Sequence, residues 1–215
     1  MDIESIDILD AIANWYVDIC AYGEQQNLEF RVDTLDNPGW HLVADGGSDQ
    51  TANRKEIIVD TNKSKDDWIY IKTNKHIFDR GGGPAYLENI LVAFYLWAIG
   101  AYKGEVEYGS AGYSSRSDVI NDIQKWYMRN CDGDWEHSYG VIIEIVRCFG
   151  WKVEFSLCGT ELDKMPFDDI NISRGQDDWI KCEKFESKLI CTGGPKNIAE
   201  LLSSFIDWAK VNGGI

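Results

Sequence analysis

The chain has 215 residues, a formal net charge of −15 and a hydrophobic content of 44%, which is enough to bury one or two globular cores. No stretch reaches the ~18 uninterrupted apolar residues of a membrane span, and so acidic a surface repels nucleic acid and anionic lipid. The acidic start at residues 1–4 lacks the basic region of a signal peptide. We therefore expect a cytoplasmic protein that binds neither nucleic acid nor membrane and keeps its cysteines as free thiols.

The first half of the chain predicts a helix, a series of strands and a second helix. Apolar residues spaced three and four apart predict an amphipathic helix at residues 6–20. Alternating and apolar runs then predict strands at 28–32, 40–43, 56–60, 68–73 and, as a short fifth strand, 77–78. Residues 36–39 read Asp-Asn-Pro-Gly, a strong turn signal between the first two strands. A closing helix is predicted at 87–97, just after Pro84.

The second half repeats this order at a spacing of 111 residues. Helices are predicted at 119–131 and 198–208, with strands between them at 141–146, 151–155, 168–173, 179–184 and 189–191. Eight of the nine tryptophans pair at this spacing, namely Trp15 with Trp126, Trp40 with Trp151, Trp68 with Trp179, and Trp97 with Trp208. The rarest residue type would not recur by chance in one register, so the chain is a tandem duplication.

Such a duplication predicts two similar domains. We place them at residues 1–103 and 117–215, joined by a linker at 104–116 that is rich in Gly, Ser and Tyr. Each domain is expected to have an α+β fold, in which an N-terminal and a C-terminal helix flank an antiparallel sheet of four to five strands. Both helices are expected on one face of the sheet. A unit of about 100 residues can bury a core of its own.

The densest polar cluster lies at residues 131–140, where the second repeat reads C-D-G-D-W-E-H-S-Y-G. Asp134, Glu136 and His137 carry side chains suited to acid–base catalysis or to binding a divalent metal. However, the spacing is not that of an EF-hand, and none of the three histidines is paired at metal-ligand spacing. A metal-dependent enzyme is therefore kept as an alternative, while the prediction is no catalytic residue, no metal and no cofactor.

The same cluster also fits protein binding, because an acidic loop that presents Trp135 would offer a partner an aromatic anchor. An equally good interpretation is that Trp135 packs in the core and that Glu136 and His137 make structural hydrogen bonds. Two other features are interpreted as structural. The glycine-rich loops at 81–84 and 193–195 match no phosphate-binding motif. The pairs Asp66-Asp67 and Asp177-Asp178 cannot each form a general acid–base pair, because adjacent side chains on a strand point to opposite faces.

Together these motifs resemble the immunity protein 53 family, small bacterial proteins encoded beside polymorphic toxins. The motifs are the Trp-Tyr pairs, the 131–140 segment, the Gly-Trp steps, the Asp-Trp-Ile steps and the Gly-Pro helix starts, and the resemblance covers residues 7–98 and 119–210. It implies a cytoplasmic protein that binds a cognate toxin domain and blocks it. The charge favours a basic toxin, such as a nuclease. A general protein-interaction module is a further alternative.

Segments that differ between the repeats are where we expect the choice of partner to lie. The turn at 36–38 is changed in the second repeat, and the 131–140 cluster has no counterpart in the first. The predicted partner-binding residues are Asp36, Asn37, Asp132, Asp134, Trp135, Glu136 and His137. Positions that the two repeats share are expected to form the core.

Overall fold

Ten strands form one antiparallel sheet in the computed structural model, which describes residues 7–21, 28–45, 56–102, 118–146 and 150–215. The first repeat contributes β1 (Glu29–Leu35), β2 (Gly39–Asp45), β3 (Ile57–Asn62), β4 (Trp68–Thr73) and β5 (Ile77–Gly82). The second contributes β6 (Val141–Val146), β7 (Gly150–Ser156), β8 (Ile170–Ser173), β9 (Trp179–Phe185) and β10 (Lys188–Gly193). The four helices are α1 (Ile8–Ala21), α2 (Leu87–Ala98), α3 (Asp118–Asn130) and α4 (Ile198–Val211).

The two repeats meet in the middle of the sheet, where β1 pairs with β6. The strand order is β3-β4-β5-β2-β1-β6-β7-β10-β9-β8, so each repeat supplies five neighbouring strands. Val32 lies opposite Ile143 in the central pair, and these two residues are equivalent at the spacing of 111. Since a residue faces its own equivalent there, a pseudo-twofold axis relates the two repeats and passes through this pair.

All four helices lie on one face of the sheet. Helix α2 packs on β2 and β5, α4 packs on β7, β9 and β10, and α1 and α3 each contact both α2 and α4. Strand side chains alternate between the faces, and those beneath the helices are buried, as for Phe30 and Val32 of β1. One continuous core contains buried residues of both repeats. Each buried Phe or Leu contributes about 1.5–3 kcal/mol through the apolar area it removes from water.

The shared Gly-Trp and Gly-Pro motifs form one structural unit in each repeat. The indole nitrogen of Trp40 donates to the carbonyl of Pro84 at 2.8 Å, and Trp151 donates to Pro195 at 2.8 Å. A Cβ atom on Gly150 would lie 1.9 Å from a carbonyl oxygen of the neighbouring strand, and this residue has φ +126°. The Gly150-Trp151 step therefore needs glycine, so that Trp151 can reach beneath the helices.

The α+β class and the order helix, strands, helix in each repeat are confirmed. The prediction of a separate sheet for each repeat is not confirmed, because all ten strands join in one sheet. Each half-sheet has a full fifth strand, β5 or β10. The division into domains at 1–103 and 117–215 stays a prediction, and its linker at 104–116 lies outside the described residues. None of the helices described is long and apolar enough to span a bilayer.

Candidate protein-binding surface

The structure brings the two segments that differ between the repeats next to each other. The turn after β1 borders the loop that connects α3 with β6. Asp36 lines a pocket of about 310 Å³ together with Glu136 and His137. Pro38 lines an adjoining cleft of about 460 Å³ with Asp132 and Glu136. Residues predicted to bind a partner in different repeats thus form one surface at the end of the β1–β6 junction.

Hydrogen bonds across the junction hold this arrangement. The hydroxyl of Tyr127, on α3, accepts the backbone N–H of Gly39 at 3.2 Å and lies 3.2 Å from the carbonyl oxygen of Leu35, to which it donates. The hydroxyl of Thr34 accepts the backbone N–H of Val141 at 3.2 Å. Because all three hydrogen bonds join different repeats, the turn after β1 is fixed by residues of the second repeat.

Two carboxylates of the 131–140 segment shape the loop itself. Asp132 accepts the backbone N–H groups of Trp135 at 2.9 Å and Asp134 at 3.0 Å, and these hydrogen bonds lower the pKa of Asp132. Glu136 accepts the backbone N–H groups of Asp132 and Gly133, each at 3.1 Å. Burial alone would raise the pKa of Glu136, but hydrogen bonds from backbone N–H groups outweigh it and lower the pKa.

Trp135 does not present an exposed ring. Its relative exposure is 7%, its indole nitrogen donates to the carbonyl of Cys158 at 2.8 Å, and its ring packs edge-on against Trp126 at 5.8 Å. The structure therefore shows the core-packed arrangement for Trp135, with Glu136 in structural hydrogen bonds. The exposed residues among those predicted are Asp36, Asn37, Asp132, Asp134 and His137, and we call this set the acidic rim.

The sheet face opposite the helices carries charged side chains, and we call it the open face. On β1, the alternation that buries Phe30 and Val32 turns Arg31 and Asp33 to this face. In the part of the chain that the structure describes, all four helices lie on the other side. Charged groups here keep contact with water, since the side chains of Arg31 and Asp33 are 39% and 30% exposed.

In the first repeat, a histidine connects two carboxylates on the open face. His41, on β2, lies between Asp33 on β1 at 3.4 Å and Asp79 on β5 at 2.9 Å. The hydroxyl of Tyr70, on β4, donates to Asp79 at 2.8 Å. The hydrogen bond with Asp33 is the main cause that raises the pKa of His41. Burial alone would raise the pKa of Asp33, but hydrogen bonds with His41 and Arg31 lower it.

Ion pairs extend this network across the junction into the second repeat. Arg31 bridges Asp33 at 3.2 Å and Glu144 of β6 at 2.6 Å. Lys152 of β7 continues it, lying 3.3 Å from both Glu144 and Glu154. The last contact joins Lys188 of β10 to Glu154 at 2.5 Å.

We call the connected set the charge ladder, and it crosses seven strands. Its members are Tyr70, Asp79, His41, Asp33, Arg31, Glu144, Lys152, Glu154 and Lys188. The 310 Å³ pocket is lined by Asp36 and His137 of the rim and by Arg31 and Glu154 of the ladder, so the two features adjoin. Sequence reasoning missed the ladder, because alternation indicates which face a side chain takes but not which strands are neighbours.

Comparison with known families gives a match that covers both repeats. A family model described as immunity protein 53 matches residues 9–98 and 120–210. Neither a curated protein nor a solved structure matches the chain significantly. Among the residues that the structure describes, no group of three or more His, Cys, Asp or Glu side chains is placed to hold a metal ion.

Proposed function

Because the chain belongs to the immunity protein 53 family, we propose that it neutralises a bacterial toxin by binding the toxic domain and blocking it. The observation that carries this proposal is the family match, which covers both repeats and most of the chain. In this role the protein acts by occupying a surface that the toxin needs, and it catalyses no reaction. Each repeat, at 1–103 and 117–215, is proposed to be one immunity-like unit.

The cognate toxin is proposed to be a basic protein, such as a nuclease. The net charge of −15 is unevenly divided, because residues 1–111 carry 9 basic and 19 acidic groups while the remainder carries 12 and 17. A domain that binds nucleic acid presents cationic groups to phosphates. An acidic inhibitor is steered toward such a surface, which increases the association rate and makes it sensitive to salt.

The acidic rim is proposed to contact the toxin. Its exposed carboxylates and His137 stand at the end of the inter-repeat junction, where residues from both repeats are available to one partner. Trp135 and Glu136 support binding indirectly, since the first packs beneath the loop and the second holds its backbone N–H groups. A loop held in this way loses little conformational freedom when a partner binds.

Co-expression tests the function directly. The toxin domain encoded beside this gene is expressed in bacteria with and without the protein, and growth is measured. We expect growth only with the protein, and a complex of the purified partners that weakens as salt rises from about 50 mM to 500 mM. If the protein neither rescues growth nor binds any adjacently encoded toxin domain, the proposed function is wrong.

A charge-matched pair of variants tests the rim. Asp36→Lys combined with Asp134→Lys reverses two exposed rim carboxylates, while Asp10→Lys combined with Asp18→Lys makes the same change on exposed positions of α1. We expect the rim variant to bind toxin at least tenfold more weakly than the α1 variant. Equal affinities would show that overall charge matters and that the rim is not a contact surface.

A further inference from the structure

The two repeats share their buried face and differ on their open face. Beneath the helices, Trp40 corresponds to Trp151, and Ile69 to Ile180, and all four are buried. On the open face, four acidic positions of the first repeat correspond to uncharged residues of the second at the spacing of 111. These pairs are Glu29 with Gly140, Asp45 with Ser156, Asp60 with Asn171, and Asp79 with Ile190.

This difference makes one half of the open face acidic and leaves the other balanced. In the first repeat the strands turn five carboxylates, two cationic side chains and one histidine to this face, namely Glu29, Asp33, Asp45, Asp60 and Asp79 with Arg31, Lys72 and His41. In the second repeat three carboxylates meet three lysines, namely Glu144, Glu154 and Glu183 with Lys152, Lys181 and Lys188. The core does not require this difference, because it affects only side chains of the open face.

Two aromatic rings of the first repeat, Tyr70 and Trp68, lie against glycines on the open face. A Cβ atom on Gly81 would fall 2.4 Å from the ring of Tyr70, and one on Gly39 would fall 2.6 Å from the ring of Trp68. The ring of Tyr70 therefore covers a glycine of the adjacent strand β5, the ring of Trp68 reaches past β5 to a glycine of β2, and the hydroxyl of Tyr70 donates to Asp79. An aromatic ring beside a carboxylate suits an Arg or Lys side chain, which stacks on the ring and pairs with the acid.

We infer that the first-repeat half of the open face, centred on Tyr70, Asp79 and Asp60, is a docking surface for the cationic surface of the toxin. This inference rests on the proposed function and adds the face on which binding occurs. The charge ladder fixes Asp33 and Asp79 in place before binding, so little side-chain entropy is lost on association. The ten strands, about 4.8 Å apart and about six residues long, give the whole face an area on the order of 900 Å², of which the first-repeat half is about 450 Å². One partner contributes about 800 Å² to a standard interface, so the acidic rim supplies the remaining contact area.

The acidic rim adjoins this face through the 310 Å³ pocket. A partner that sits on the first-repeat half can therefore reach the rim without leaving the surface. In the second-repeat half the three lysines are paired with carboxylates, so this half offers a cationic partner no net attraction and the charge difference between the halves sets its orientation. In this arrangement one repeat supplies most of the acidic contact surface, and the other supplies the buried loop support and an electrically balanced boundary.

Charge reversal on the two sides of the sheet tests the inference. Glu29→Lys combined with Asp60→Lys alters exposed open-face positions, and Asp10→Lys combined with Asp18→Lys makes the same net change on the helical side. Affinity for a catalytically inactive form of the adjacently encoded toxin domain is measured by calorimetry at low salt. We expect the open-face variant to bind at least tenfold more weakly than the wild-type protein, and the helical-side variant to change by less than about threefold.

Each other outcome has a definite meaning. If the wild-type protein binds the toxin domain and the two variants weaken binding equally, the docking face is wrong while the proposed function stands. If the wild-type protein does not bind, the proposed function itself fails. If light scattering shows that the protein is a dimer and that Glu29→Lys with Asp60→Lys makes it a monomer, the face joins two copies of the chain and the inference is overturned.

Carboxylate labelling gives a second readout that needs no mutation. The wild-type protein is treated with a carbodiimide and an amine, alone and with the toxin domain, and the labelled residues are identified by mass spectrometry. We expect Glu29, Asp60 and Asp79 to be protected in the complex, while Asp10 and Asp18 react equally in both states. Protection of Asp10 and Asp18 with no protection of Asp60 would place the toxin on the helical side and overturn the inference.

Discussion

The hydroxyl of Tyr127 accepts the backbone N–H of Gly39 at 3.2 Å, although the two residues belong to different repeats. The same hydroxyl contacts the carbonyl of Leu35, so it joins both ends of the turn after β1 to helix α3. Burial raises the pKa of Tyr127 strongly, which keeps the hydroxyl protonated. The turn that carries Asp36 and Asn37 is therefore positioned by the second repeat.

Removing this hydroxyl is expected to destabilise the protein. Tyr127→Phe leaves the buried N–H of Gly39 without its acceptor, which costs about 1–3 kcal/mol. The free energy of unfolding is measured by urea titration. Tyr139→Phe is the matched control, because the hydroxyl of the exposed Tyr139 accepts a weak hydrogen bond from the partly buried Cys158 thiol, and it is expected to change stability by less than about 0.5 kcal/mol. Equal effects of the two substitutions would contradict the prediction.

Glycine is expected to be required at the start of β7. Gly150→Ala places a Cβ atom against the carbonyl of Gly193 at a residue with φ +126°, so we expect a loss of about 2 kcal/mol or more. Gly175→Ala serves as the control, since its Cβ atom would meet no atom within 4 Å. Thermal unfolding followed by circular dichroism compares them. An unchanged melting temperature for Gly150→Ala would show that the strand relaxes freely.

The loop at 131–140 is expected to depend on Glu136 and not on its neighbour Asp134. Glu136→Ala removes the acceptor for the N–H groups of Asp132 and Gly133, which should cost about 1–3 kcal/mol. Asp134→Ala alters an exposed side chain and should stay within about 0.5 kcal/mol of the wild-type value. Urea titration of both variants measures the difference, and the reverse ranking would contradict this account of the loop.

The sequence predicted the elements and the buried face well, because alternation and helical spacing are local properties. Phe30 and Val32 alternate with Arg31 and Asp33, and that pattern fixes which side faces the helices. The sequence could not predict that β1 pairs with β6. A half-buried strand at the edge of a repeat shows the same alternation of apolar and polar residues whether it is the last strand of a sheet or pairs with a strand of another repeat. The sequence also could not decide whether Trp135 is buried, because its burial depends on tertiary contacts. Its ring packs against Trp126 on α3, and its indole nitrogen donates to Cys158, which is distant in sequence.

The pairing of Arg31 with Glu144 is expected to couple the two repeats. A double-mutant cycle with Arg31→Met and Glu144→Gln should give a coupling energy of about 0.5–1 kcal/mol in the free energy of unfolding, because these side chains are only partly exposed. The same cycle on Lys181 and Glu183, which are about half exposed and lie within one strand, should give nearly zero. Equal coupling in the two cycles would show that Arg31 has no special role at the junction.

The ladder is expected to respond to pH through His41. The carboxylates of Asp33 and Asp79 raise the pKa of His41 above its ordinary value of 6.5, so its stabilising contribution is complete below that value and declines as pH rises through the raised folded pKa. Asp33 has a lowered pKa, so its own stabilising contribution is lost only at acid pH, as the pH falls through that folded pKa and the carboxylate is protonated. We therefore expect His41→Gln to reduce the free energy of unfolding more at pH 6 than at pH 9. Urea titrations at both values measure this loss, and nuclear magnetic resonance of the imidazole gives the midpoint. A midpoint at or below 6.5, or a larger loss at pH 9, would show that the two carboxylates do not hold the proton on His41.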